Sequence, residues 1–208
     1  MAILFCGIFF HQAGAQKIES PFNEYGFSVN RTNVSNDNTE DRTGFGIGAY
    51  HSPAPDSEGG FMIGFEYNHT SQFKKRVFFM DHFGGYEKDV TYDFDYITFL
   101  FAHRFHFEAG AKILIDLGGF LDIGISSVKE GISHSCYQFP CADVKFKKSY
   151  GSLGLFPGIA FGIGIKIPVL RYQFILKPEY KFCLLHAEDG EERFSFNYYR
   201  LLVGIKIN

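Results

Sequence analysis

Residues Ser152 to Ile167 read SLGLFPGIAFGIGIKI, and no charged side chain lies between Ser149 and Ile165. Gly154, Gly158 and Gly162 stand four residues apart, which is also the spacing of a transmembrane helix-dimer face. The stretch therefore belongs to a membrane helix, to the core of a soluble domain, or to another element, and its periodicity distinguishes them.

The period of this stretch is two residues. Its odd positions are Leu153, Leu155, Pro157, Ile159, Phe161, Ile163, Ile165 and Ile167, whereas the even positions are mostly glycine and alanine. A strand sends alternate residues to opposite faces, while a helix would scatter both sets around its circumference. Five glycines between positions 151 and 164 also disfavour a helix. The pattern predicts a strand with one bulky and one small face.

The same alternation recurs seven more times along the chain. The segments are 25–30, 44–50, 61–68, 96–105, 111–125, 172–185 and 198–207. Together with 153–167 they make eight predicted strands. Pro157 and Pro178 fall inside two of them, where each removes a ladder donor, so we expect bulges or a local gap there.

Volume decides which face points inward. An eight-stranded barrel is only just wide enough for side chains to fill it, so the bulky Leu, Ile, Phe and Tyr face must point outward, where lipid tolerates it. The sequence thus predicts an all-β fold, an eight-stranded antiparallel up-and-down transmembrane β-barrel. A lipocalin-like soluble barrel, with the faces inverted, is the alternative.

The connections between strands favour the membrane barrel. Four are long and polar: 30–42, 71–89, 129–148 and 186–193. Between them 107–110 and 168–171 are tight, and 51–60 is longer. This arrangement predicts short periplasmic turns, long extracellular loops and periplasmic termini. Tyrosines near strand ends suit an aromatic girdle: Tyr25, Tyr67, Tyr172, Tyr198 and Tyr199.

The first fifteen residues are read as an export signal. Ala2 to Phe10 is a short apolar run, and Ala13-Gly14-Ala15 is a small-residue cleavage site before Gln16. A basic n-region is missing, so the true start is expected upstream; a buried N-terminal strand is the alternative. The domain division is therefore signal peptide 1–15, cleaved near Ala15, and barrel 16–208.

Export leads to an oxidising compartment in which disulfides persist. Cys136 and Cys141 form a close pair in the polar loop CYQFPC, and we expect a disulfide there, with two free thiols as the alternative. No second Cys/His pair follows, so the spacing is not a zinc motif, and no metal or cofactor is expected. Cys183 is left unpaired.

Charged residues on the small faces point into the predicted lumen. The expected lumen charge network consists of Glu66, Arg104, Asp116, Asp122, Lys166, Lys177, Glu179, Lys181, Arg200 and Lys206. Unpaired charges in a narrow lumen would be costly, so ion pairs and trapped water are expected to plug the barrel. A proton or ion path is the alternative.

The sequence resembles the PorT-like, or outer membrane protein β-barrel, family of Gram-negative bacteria. The resemblance rests on GAQ (14–16), YITFLFAHRF (96–105), GLFPGIAFGIGIKI (154–167) and YYRLLVGIKIN (198–208). It implies localisation in the cell outer membrane and offers no catalytic residues. Asn208 departs from the aromatic last residue common in other outer-membrane families.

These observations predict a non-enzymatic outer-membrane protein, structural or surface-binding and docking through its extracellular loops. The best candidate loop is 129–148. The alternatives are a small channel, a lipid A-modifying barrel enzyme (for which Ser126, His134 and Glu66 are the candidate residues) and a soluble ligand binder. Expected partners are outer-membrane lipid, the assembly machinery during insertion, and another envelope protein or an extracellular ligand. With a net charge of -3, no nucleic-acid partner is expected.

Overall fold

Twelve β-strands make up the described part of the chain. The computed structural model describes residues 20–32, 39–53, 58–78, 86–108, 112–135, 142–151, 154–189, 192–195 and 197–207. The strands are β1 (Glu24–Thr32), β2 (Thr39–Asp41), β3 (Thr43–His51), β4 (Gly59–Phe78), β5 (Tyr86–Glu108), β6 (Lys112–Ser135), β7 (Ala142–Tyr150), β8 (Gly154–Val169), β9 (Tyr172–Cys183), β10 (His186–Asp189), β11 (Glu192–Ser195) and β12 (Tyr198–Ile207). Among the described residues there is no helix long and apolar enough to cross a membrane.

Eight of these strands close into an antiparallel barrel. Each pairs with the next in the order β1, β3, β4, β5, β6, β8, β9 and β12. The ring closes because β1 pairs with both β3 and β12, with Phe27 opposite Ile47 on one side and opposite Val203 on the other. The predicted all-β, eight-stranded, antiparallel barrel is confirmed, and each of the eight predicted strands lies within or overlaps a barrel strand.

The two ends of the barrel differ. At the end that we call the turn end, barrel strands are joined by residues 52–58, 109–111 and 170–171. Leu170, in the two-residue turn, has a φ of 56° and is 98% exposed. All other connections lie at the opposite end, which we call the loop end.

A sheet protrudes from the loop end. β4, β5 and β6 are 20, 23 and 24 residues long, and their loop-end portions continue to pair with one another. β2 adds to β4, and β7 adds to β6. We call β2, β7 and residues 70–78, 86–94 and 127–135 the protruding sheet.

The protruding sheet corrects three predicted loops. Residues 30–42, 71–89 and 129–148 were expected to be extracellular loops, yet 39–41, 71–78, 86–89, 129–135 and 142–148 are strand. The fourth predicted loop, 186–193, contains β10 and the start of β11, which pair with each other. In this part of β5 the bulky residues Val90, Tyr92 and Phe94 are buried and the residues between them are polar, which is the reverse of the outward apolar face of the barrel strands. Backbone pairing to a neighbouring strand also holds these segments.

The side chains of the barrel segregate by face as the period of two requires. Outward residues such as Ile47, Phe101 and Ile163 are 55%, 58% and 45% exposed. The lumen was expected to hold glycines and paired charges, and it is more apolar than that. It also holds buried large side chains: Tyr50, Met62, Tyr96, Leu100, Leu114, Phe120, Phe156, Ile175, Tyr198 and Leu202.

One girdle tyrosine was placed on the wrong face. Tyr198 is fully buried in the lumen, whereas Tyr199 is 57% exposed on the outside. Adjacent residues of one strand point to opposite faces, so only one of the pair can join an outer girdle.

The two prolines are accommodated without a bulge in the ladders that contain them. Between β8 and β9 the pairing keeps one register but lacks partners at 163–164 and 177–178, so the expected gap lies at Pro178. Pro157 lies just beyond the end of that ladder, and its carbonyl oxygen accepts from the Leu184 amide at 2.9 Å. The missing N–H of each proline therefore breaks little pairing.

Candidate functional site

A continuous chain of alternating charges crosses the lumen. Its order is Lys181, Glu66, Arg200, Glu179, Lys177, Asp116, Arg104 and Glu24. The four carboxylates balance the four cations, and every one of these side chains is at most 4% exposed. Burial of a charge is costly unless it is paired, and this order gives every buried charge an opposite partner.

Glu66 is the hub at one end of the charge chain. The Arg200 guanidinium donates to both of its carboxylate oxygens at 2.7 Å, and Lys181 Nζ donates to Oε2 at 2.7 Å. The Tyr50 hydroxyl donates to Oε1 at 2.8 Å, and the Asn68 amide donates to Oε2 at 3.1 Å. A bidentate Arg–carboxylate pair fixes geometry as well as charge, so β4, β9 and β12 are tied together.

Arg104 is the hub at the other end. Its Nε and Nη2 donate to the two oxygens of Asp116 at 2.7 and 2.8 Å. Its Nη1 and Nη2 donate to Glu24 at 2.5 and 3.2 Å. Lys177 joins the two halves, because Nζ lies 2.6 Å from Asp116 Oδ2 and 2.8 Å from Glu179 Oε2.

Seven of the ten predicted network residues belong to this chain. Asp122, Lys166 and Lys206 are also buried in the lumen, but they are not members of the charge chain. Asp122 accepts from the Thr98 hydroxyl, Lys166 Nζ lies 2.8 Å from His106 Nε2, and Lys206 Nζ donates to the Pro53 carbonyl oxygen.

Sequence reasoning missed one member, Glu24. It precedes the predicted strand 25–30 by one residue, and the structure begins β1 at Glu24. Extending the period of two backward from outward Tyr25 would have placed Glu24 inside. That extension was the available signal.

Aromatic side chains fill the lumen around the Lys181 end of the charge chain. Lys181 Nζ lies 5.1 Å from the Phe120 ring centroid and 5.5 Å from that of Tyr198, which are cation–π distances. The Tyr96 and Tyr198 rings are 6.3 Å apart, and both are buried. This packing leaves the described lumen occupied by side chains rather than open.

The residues proposed for a barrel enzyme do not meet. Glu66 is engaged in the lumen, His134 Nδ1 lies 2.7 Å from Asp143, and Ser126 Oγ donates to Asp95 at 2.8 Å. A different group does assemble at the loop end of the outer surface, where His69 Nδ1 also lies 2.9 Å from Asp95. In a catalytic triad the histidine stands between serine and carboxylate, whereas here Asp95 stands between them.

The outer face of the protruding sheet carries a stacked polar cluster. The Arg76 guanidinium lies 4.3 Å from the Tyr86 ring, which stacks on His134 at 4.7 Å. Asp143 on β7 contacts His134, and Asp143 also accepts a hydrogen bond from Lys88 Nζ at 2.5 Å. Hydrogen bonds from Lys88 and then His134 lower the pKa of Asp143, and the hydrogen bond to Asp143 raises the pKa of Lys88. The cluster ties β5, β6 and β7 together.

The opposite face of the protruding sheet is built around Tyr92, which is buried. Lys74 and Lys129 place their Nζ atoms 5.8 and 5.3 Å from its ring centroid. Lys129 Nζ also lies 2.9 Å from Glu87 Oε2. Phe146 of β7 packs against the buried hydrophobic residues, so the β6–β7 hairpin is fixed from both faces.

Two predictions fall outside the described residues: the signal peptide 1–15 and the Cys136–Cys141 disulfide. Cys183 is a buried free thiol. In the part of the chain that the structure describes, no group of three or more His, Cys, Asp or Glu side chains is arranged to hold a metal ion.

The chain resembles several solved barrel structures at low identity. They include Ail, the attachment invasion locus protein of Yersinia pestis, in complex with the heparin analogue sucrose octasulfate (13% identity, 89% of this chain and 95% of that one, TM-score 0.36). Neisserial surface protein A matches at 9% identity over 90% and 97% of the two chains, with a TM-score of 0.43. The N-terminal β-barrel domain of Pseudomonas aeruginosa OprF matches at 8% over 89% and 97%, with a TM-score of 0.28. These values transfer no ligand or partner.

No protein-family model matches the chain. No curated protein matches it either.

Proposed function

We propose that the chain is an outer-membrane β-barrel protein of a Gram-negative bacterium, related to the PorT-like family. It catalyses no reaction and holds a rigid docking sheet at the cell surface. The observation that carries this proposal is the outward apolar face shared by all eight barrel strands. The export signal is expected to deliver the chain to the periplasm, from which the assembly machinery inserts it.

The apolar belt supports lipid as the surroundings of the barrel. Every barrel strand contributes exposed large hydrophobic side chains, for example Phe27, Phe65, Leu117, Phe174 and Val203. A soluble monomer rarely exposes a contiguous apolar patch beyond a few hundred Å². A belt that encircles a closed barrel, in which every strand pairs with a neighbour on each side, matches the requirement for spanning a bilayer.

The occupied lumen supports a closed barrel rather than a channel. A barrel of eight strands has little internal width, and here the charge chain and the aromatic residues fill it. Ion pairs that link β4, β6, β9 and β12 make the wall rigid. The barrel then serves as an anchor, and recognition falls to the protruding sheet.

The edge strand β7 is the best candidate for docking. Among the described strands it pairs only with β6, so its other edge is available for an added strand. Its sequence ADVKFKKSY includes Lys145, Lys147 and Lys148. These charges favour an extended acidic segment of another envelope or extracellular protein as the partner.

Two accessibility variants test this orientation in cells. In a background with Cys136, Cys141 and Cys183 replaced by serine, Lys145→Cys lies on the protruding sheet and Leu170→Cys lies in the 170–171 turn. A membrane-impermeant maleimide should label Lys145→Cys on intact cells and Leu170→Cys only after the outer membrane is permeabilised. The reverse pattern, or labelling of both on intact cells, would contradict the proposal.

A further inference from the structure

Two buried lysines remain outside the balanced charge chain. Lys166 and Lys206 are 6% and 1% exposed. Lys166 Nζ contacts His106 Nε2, and Lys206 Nζ donates to the Pro53 carbonyl oxygen. Each ammonium group therefore contacts a neutral acceptor atom. A protonated lysine only donates, so His106 accepts at Nε2. Among the described residues, no carboxylate forms an ion pair with either ammonium group.

Nearby acids are already committed. Glu24 is the cross-strand neighbour of Lys206, but both of its oxygens accept from Arg104. Asp122 is the lumen carboxylate outside the chain, and it lies ten residues along β6 from Lys112, the neighbour of Lys166. At the rise of a strand that is roughly 33 Å, so Asp122 cannot neutralise the lysines.

Gln173 lies on the strand between those of the two lysines. On β12, Lys206 is the cross-strand partner of Gln173. On β8, the cross-strand partner of Gln173 is Pro168, and Lys166 lies two residues before Pro168. Gln173 is 6% exposed, and its Oε1 has no hydrogen-bond partner among the described residues. A cavity of about 10 Å³ is lined by His106, Lys166 and Gln173, which is room for one water-sized group, and Lys206 adjoins it as the cross-strand partner of Gln173.

We propose that this turn-end site binds one oxyanion group, a carboxylate or a phosphate, between Lys166 and Lys206. One oxygen of the anion enters the cavity, and an N–H or O–H beside the anion donates to Gln173 Oε1. Two buried cations that meet only neutral atoms are costly, and an anion supplies the missing partner. Exposed Glu108 lines the rim but pairs with Lys112 at 3.5 Å, so it leaves the site to an external ligand.

That the anion comes from a periplasmic molecule rests on the proposed function, whereas the site itself does not. The test therefore uses the folded barrel in a non-ionic detergent, which carries no phosphate. Inorganic phosphate and N-acetylglycine are titrated separately at constant ionic strength with chloride, and amide chemical shifts are followed. Saturable shifts should centre on residues 105–107, 166–167, 173 and 206, and the tighter probe identifies phosphate or carboxylate as the preferred group.

Variants make the test specific. Lys166→Met and Lys206→Met should each weaken binding at least tenfold, whereas Lys145→Met, on the protruding sheet, should leave it unchanged. If a methionine variant does not fold, the location of the shifts in the unaltered protein still decides. Absence of saturable shifts, or shifts centred elsewhere, would overturn the site whether or not the barrel proves to be a membrane protein.

Discussion

The carboxylate of Glu66 on β4 accepts hydrogen bonds from Arg200 on β12 and Lys181 on β9, at 2.7 Å in each case. A single side chain thus joins three strands across the lumen. Removing it leaves two buried cations without their shared partner. Uncompensated buried charge is among the most destabilising changes in a protein interior.

Glu66→Ala should therefore lower the free energy of unfolding by about 3–5 kcal/mol. The matched control is Glu40→Ala, because Glu40 pairs with Lys75 at 3.3 Å on the surface with both side chains more than half exposed. That exposed pair should contribute about 0–1 kcal/mol. Denaturant unfolding of the barrel in lipid vesicles measures both, and equal losses would contradict the structural role of the lumen network.

Adjacent glycines on β6 should respond in opposite ways to the same substitution. A Cβ at Gly118 would overlap the carbonyl oxygen of Phe101 and the Cα of Ala102, whereas a Cβ at Gly119 would meet nothing closer than the Gly158 oxygen at 3.5 Å. Gly118→Ala should cost about 1–3 kcal/mol through overpacking, and Gly119→Ala should be close to neutral. Unfolding midpoints in vesicles compare the two, and a costlier Gly119→Ala would show that the face assignment is wrong.

Acid should loosen the β6–β7 hairpin through Asp143. Its pKa is lowered by hydrogen bonds from Lys88 and His134, so its contribution is present above the unfolded-state pKa and is lost as the pH falls through the folded-state pKa. The pKa of Lys88 is raised, so its own contribution is retained at neutral and lower pH. Asp143→Asn should remove the acid dependence.

Hydrogen exchange of the amides in 129–134 and 142–150, corrected for intrinsic rates, measures this effect. Protection in the unaltered protein should fall on acidification, and Asp143→Asn should already show the lower protection at neutral pH. Equal protection in the two proteins at neutral pH would show that Asp143 does not stabilise the β6–β7 hairpin.

The filled lumen also predicts that the barrel does not conduct. Planar bilayers containing the folded protein should show no stepwise current, because the charge chain and the aromatic side chains occupy the interior. Regular single-channel steps that survive purification would show that the lumen opens.

The fold was predictable because barrel physics acts on every second residue. The segments 153–167 and 198–207 alternate between bulky and small side chains in the sequence, and residues 154–167 and 198–207 lie in the barrel. The protruding sheet was not predictable in the same way. Its bulky residues, such as Val90, Tyr92 and Phe94, are buried instead of exposed, so it lacks the outward apolar face by which the barrel strands were identified.

The lumen network was predictable in membership but not in connectivity. Alternation shows that Lys177 and Lys166 both point inward, and nothing in the sequence shows that only Lys177 meets carboxylates. Pairing depends on shear between strands, which places Glu66 beside Arg200 although they are 134 residues apart. For Tyr198 and Glu24, the sequence prediction of which face a side chain occupies, or of where a strand begins, was wrong by one residue at a strand end.

The most direct test of the central claim asks whether the outward face touches lipid. The chain contains no tryptophan, so a single introduced one reports only its own surroundings. Ile163→Trp lies on the outer face of β8, and Val144→Trp lies on the protruding sheet. In vesicles of acyl-chain-brominated lipid, fluorescence of Ile163→Trp should be strongly quenched and that of Val144→Trp should be unaffected. An unquenched Ile163→Trp in a folded barrel would contradict the membrane-spanning account.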